Sequence, residues 1–173
     1  QAAGDLQNIL SAAQPLDDWT AFALARSGQP KAAQYLPEAK RAADSGELRL
    51  VTDYARTALA VIASGGDARN VGQKHTDLLA QIANHDKMTA QGPNGPAFAL
   101  LALDAGGYKA GAADRWSQSD LVAWLVGHRN ADGGWSLTGT GTSDVDLTAM
   151  VLTALAPYRD SADVGAAVDG ALA

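Results

Sequence analysis

Asp144 and Asp146 flank a single valine in "TSDVDLTAMVLTAL", directly ahead of an apolar run. Closely spaced carboxylates are the raw material of acid–base chemistry, because one held neutral can donate a proton while its neighbour stays charged. The same residues also suit a plainer role. Ser143 is followed three residues later by Asp146, an S-x-x-D capping box, with Asp144 in the same first turn. A carboxylate there accepts backbone N–H bonds and meets the positive end of the helix, worth ~0.3–1 kcal/mol. Both effects favour the ionised form, and an ionised carboxylate is no general acid. Capping is the favoured reading; a catalytic role for Asp146 and Asp144 is the rival.

Few other residues offer chemistry. His75, His85 and His128 are scattered with no HxxxH or HExxH spacing, and cysteine is absent, so no metal site is expected. "TGTGTSD" is Gly-rich but lacks the lysine of a phosphate loop and follows no strand. "NADGG" has two oxygen ligands of a calcium loop and no acid to close it. Asp132, Gly133, Gly134 and Trp135 form a turn whose glycines allow positive φ, with an indole that can plug a gap between helices. That set is expected to be structural. Trp19, Tyr54 and Phe98 are the aromatic candidates for lining a ligand cavity, although such residues are more often core.

The elements that must position these residues repeat. "TAFALARSG" from Thr20, "TALAVIASGG" from Thr57, "FALLALDAGG" from Phe98 and "TAMVLTALAP" from Thr148 start about 37, 41 and 50 residues apart, a spacing that fits helical-hairpin repeats. Each is apolar nearly all round, as a helix buried on every side would be. Gly28, Gly65 and Gly106 are expected to be the left-handed residues ending the first three, and Pro157 ends the fourth. More polar helices are expected between and around them, over 5–13, 36–45, 71–84, 117–129 and 161–173. In the fourth of these, Ser117 and Asp120 fit a capping pair, and Leu121, Trp124 and Leu125 form an apolar stripe. The pattern predicts an all-α stack of hairpins with apolar helices inside and amphipathic ones outside.

"WLVGHRNADGGW" resembles the QW-type repeat of the terpenoid-cyclase and protein-prenyltransferase α/α-toroid superfamily, and "SDVDLTAMVLTALAPY" is similar to the inner helix that follows it. With "DWTAFALARSGQP", "YLPEAKRAADSGELRLVTDYARTALAVIASGGDARNVG" and "QGPNGPAFALLALDAGGY", nearly the whole chain resembles the prenyltransferase/squalene-oxidase-repeat domains of bacterial cell-surface proteins, relatives of transcobalamin-like barrels. The resemblance implies an α/α toroid, secreted or anchored at a bacterial surface. A closed toroid has five or six hairpins; about four to four and a half are expected here, as one domain over 1–173 that reads as part of a larger protein or self-associates through its open edge. In the cyclases the acid motif reads Asp-x-Asp-Asp-Thr-Ala. Asp144 matches the first Asp, Asp146 the proton donor, and Thr148 and Ala149 the end, but Leu147 replaces the third carboxylate. The zinc of protein prenyltransferases needs a cysteine that this chain lacks. Arg129 stands where the repeat has glutamine, which is expected to weaken that side chain's contact to the adjacent helix.

Composition narrows the rest. With 47% hydrophobic and 18% charged residues the chain can build a core. Its net charge of −6, with no basic run, argues against nucleic-acid binding. No stretch approaches the roughly 18 apolar residues of a membrane span. The first residue is Gln1 rather than Met, which suggests a processed or excised segment. The reading is a non-catalytic binding or structural module without cofactor, whose partner is a small apolar ligand or a protein. One alternative is an isoprenoid cyclase-like enzyme using Asp146, with Trp19, Tyr54, Phe22 and Phe98 offering cation–π contact. A second is a cobalamin-type carrier, which needs a further domain to sandwich its ligand.

Overall fold

The computed structural model describes Asn8, Ala12 and residues 15–173, so all but those two residues of the helix expected over 5–13 lies outside the description. Eight α-helices and no strand occur among the described residues. Backbone contacts divide the chain into two compact units, the first ending at Gln81 and the second spanning Ile82–Ala173.

In the first unit, α1 (Asp18–Arg26) is capped by Asp17, whose carboxylate accepts the Thr20 N–H at 2.7 Å. A 3-10 turn (Pro30–Tyr35) leads into α2 (Leu36–Ser45), and α3 (Val51–Ala63) returns against α1. Asp53, in the first turn of α3, accepts the Leu50 N–H at 2.9 Å, satisfying a donor the helix leaves open. No residue of α3 is exposed, as its all-round apolar pattern predicts. The helix expected over 71–84 is shorter. Val71 and Thr76 instead exchange backbone bonds of 2.9 Å across a turn, Gly72 takes φ +74°, and helix α4 is Leu78–Ala83. Asp77 explains the late start, since its carboxylate accepts the Ala80 N–H at 2.9 Å as a cap does.

In the second unit, α5 (Asn94–Ala105) packs on both α6 (Gln118–Gly127) and α7 (Val145–Leu155), and α8 (Ala162–Leu172) packs on α6 and α7. Leu100 and Leu103 of α5, Leu121 and Leu125 of α6, and Val151 and Leu155 of α7 are fully buried. Each such side chain contributes roughly 1.5–3 kcal/mol relative to exposure. The Ser117–Asp120 capping box forms as expected. Helix α7 departs from the all-round burial its sequence implies. Leu147, Val151, Ala154 and Leu155 face the core, whereas Val145, Ala149 and Thr153 form an exposed stripe at a spacing of four. Pro157 sits in a 3-10 turn (Ala156–Tyr158) that ends this helix.

Three helices end in one motif. After α1, Gln29 N–H bonds to Leu24 C=O at 2.9 Å and Gly28 N–H to Ala25 C=O at 3.0 Å; α3 repeats this through Gly66 and Gly65, and α5 through Tyr108 and Gly107. These are Schellman closures, which place one left-handed residue just past the helix. Gly28 and Gly65 fill that place with φ of +74° and +81°. At α5 the left-handed residue is Gly107 (φ +59°), not Gly106, which has φ −83°. The core-facing register carries α5 one residue further than a terminal-glycine alignment suggests.

Candidate functional site

The loop from Asn130 to Ser143 leads into the site and contributes Leu137 to it, and hydrogen bonds rather than hydrophobic periodicity hold the loop. Trp135 is 0% exposed; its indole Nε1–H donates to the Leu125 C=O at 2.8 Å and its backbone N–H to Thr148 Oγ1 at 3.0 Å. One residue therefore ties the end of α6, through its ring, to the start of α7, through its backbone. Gly133 makes the approach possible. It has φ +95°, and a Cβ there would lie 2.2 Å from the Gly170 C=O of α8. Asn130 is buried, donating its side-chain amide to Ser136 Oγ at 3.0 Å and Ser143 Oγ at 3.1 Å. Arg129 reaches α8, donating to the Ala166 C=O at 3.1 Å.

Asp132 closes the loop. Its carboxylate accepts the Ser143 hydroxyl at 2.6 Å and the Ser143 N–H at 2.9 Å. Those bonds, the hydroxyl first, hold its carboxyl below the usual aspartate range. They also withdraw Ser143 from the capping role expected of it. The cap of α7 is Asp144, which has extended backbone (φ −91°, ψ 131°) and accepts the Leu147 N–H at 2.7 Å. Asp146 sits in the first helical turn, exposed, and its side chain makes no hydrogen bond or ion pair among the described residues.

Both aspartates border one cleft of about 530 Å³, with Asn94, Phe98, Leu137, Leu147 and Met150 as its other lining residues. Leu147 is buried, Phe98 and Met150 are half-buried, and Leu137 is 58% exposed at the rim. The cleft thus gathers Asp144, Asp146 and Phe98, three of the residues singled out in the sequence, and it is open to solvent. Trp19 and Tyr54 belong to the first unit. Trp19 is 46% exposed and meets Phe22 edge-on, with ring centres 6.3 Å apart; Tyr54 is half-buried in the first turn of α3. Among the described residues, no group of three or more His, Cys, Asp or Glu side chains is arranged to hold a metal.

Other polar contacts carried no sequence signal. Tyr158 donates to both Asp104 oxygens, at 2.8 and 2.9 Å, across 54 residues of chain. Burial, then the Asp104 carboxylate, pushes that phenol above its ordinary range. In the first unit Tyr35 donates to Asp18, whose second oxygen lies 3.8 Å from Arg56 Nε. Burial comes first in raising the Tyr35 phenol as well. Leu137 and Met150 reach the cleft from a loop and from a half-buried helix face, and neither stands out by spacing. No family model, curated protein or solved structure matches this chain.

Proposed function

We propose that this chain is a non-catalytic binding or structural module, built as an incomplete α/α toroid and displayed at a bacterial cell surface, with the α5–α7 cleft as its binding site. The observation that carries the reading is the state of the aspartate pair. Asp144 is committed to the Leu147 N–H, and Asp146 stands in water at the rim of an open cleft. Protonating a carbon centre needs a neutral carboxylic acid in a dry cavity, and a solvated carboxylate at the positive end of a helix is the opposite environment. Among the described residues lining the cleft Phe98 alone is aromatic, too few for an aromatic wall around a carbocation. The toroid reading draws support from the paired packing of α5 with α7 and of α6 with α8, which suits inner and outer layers.

The test is incubation with squalene or geranylgeranyl diphosphate followed by product analysis, for the native protein and Asp146→Asn. No product from either is expected. A cyclised product that disappears in Asp146→Asn would establish the enzyme reading instead.

A further inference from the structure

We infer that the α5–α7 cleft docks a protein segment that presents a lysine or arginine beside a bulky apolar side chain; this rests on the binding-module reading above and names its partner. The floor is apolar, made by Leu147, Phe98 and Met150, and Leu137 extends it onto the rim. Such contiguous apolar surface rimmed by polar groups marks an interaction site rather than a scattered exposed leucine.

Charge selects the partner. Asp144 and Asp146 place two carboxylates on the lining, and none of its described residues is Lys, Arg or His. The first turns of α5 and α7 lie there too, through Asn94 and Asp146, and each helix start supplies only about half a positive charge. The sum stays near one negative charge. An anionic headgroup or diphosphate is therefore repelled, and a cation on an apolar stem is accepted. A long basic side chain satisfies both halves of the site, its methylenes lying on Phe98 and Met150 while its head meets Asp146. The volume of about 530 Å³ has room for one or two side chains of a docked segment.

The test is a titration of the ¹⁵N-labelled chain with three capped peptides, alternating Leu/Arg, Leu/Gln and Gly/Arg, at low and physiological salt. The Leu/Arg peptide should shift the amides of Phe98, Leu147 and Met150, and the other two should bind more weakly. Asp146→Asn should weaken the Leu/Arg peptide about two- to five-fold, the range of one exposed ion pair, with the difference shrinking as salt rises. The resonances of Trp135 and Leu100, both fully buried, report in that variant that the fold is kept. Equal binding of Leu/Gln and Leu/Arg peptides would overturn the charge assignment and leave the binding-module reading standing. Shifts confined to other surfaces, or none up to millimolar peptide, would overturn the docking site itself. Turnover lost in Asp146→Asn, by contrast, is the outcome that removes the binding-module reading.

Discussion

Replacing Asp144 by alanine tests which residue starts α7. The substitution removes the acceptor of the Leu147 N–H at 2.7 Å and leaves that donor to water. Loss of a side-chain N-cap costs about 1 kcal/mol, within a range of roughly 0.5–2. Removing negative charge from the helix start adds ~0.3–1 kcal/mol. The expected total is about 1–2 kcal/mol, or on the order of 2–8 °C in Tm for a chain of this length. Asp146→Ala loses only the dipole contribution and should cost under about 1 kcal/mol, because the side chain is exposed and bonds to nothing described. Asp144→Asn should retain most of the stability, since asparagine caps as well as aspartate. Urea unfolding gives the three values, and hydrogen exchange at the Leu147 amide localises the effect. Equal costs for Asp144→Ala and Asp146→Ala, or unchanged Leu147 protection in Asp144→Ala, would refute the assignment of the cap.

At the end of α5, Gly107→Ala should cost about 1 kcal/mol because φ is +59°, whereas Gly106→Ala should be neutral or slightly stabilising; thermal melts of the pair decide which glycine is left-handed. Trp135→Ala should cost about 3–5 kcal/mol through cavity formation and the lost bond to Leu125, read by urea unfolding, and near-native stability would contradict its burial. Asp132 has a depressed carboxyl, so its contribution is present above the ordinary aspartate range and is lost as pH falls through its lower folded value. Asp132→Asn should therefore be less stable than the native chain at pH 7, and the gap should close as pH falls below the ordinary aspartate range and through the lowered folded value; a gap independent of pH would show that the Ser143 bonds do not hold the charge.

How much was legible beforehand follows the range of each interaction. Helices α2, α6 and α8 lie within a residue or two of the spans predicted for them, because capping residues and apolar spacing act within a turn or two. The sequence places the aspartate pair at the start of a helix and points to Ser143 with Asp146 as its capping box. Ser143 looks like the cap only when Asp132, eleven residues earlier, is ignored; once the loop closes, that carboxylate takes the hydroxyl and the cap moves to Asp144. The segment 71–84 misled because Val71, Leu78, Leu79 and Ile82 fit a helical face, while Gly72 and the Asp77 cap break the backbone before Leu78. Helix α7 misled in the other direction. Its composition satisfies burial all round, but burial depends on what packs against each face, and α5 and α8 leave the Val145–Ala149–Thr153 stripe open.

By itself, then, the order of residues determined that this chain is helical, where α2, α6 and α8 begin and end, and that the turn at Asp132–Trp135 is special, since propensity, capping and glycine geometry are local energies. Tertiary structure alone decided that Phe98, Leu137, Met150 and both aspartates share one cleft, that Arg129 reaches α8, and that Tyr158 meets Asp104. Those contacts join residues far apart in the chain, and their partners are chosen by which surfaces the buried leucines bring together.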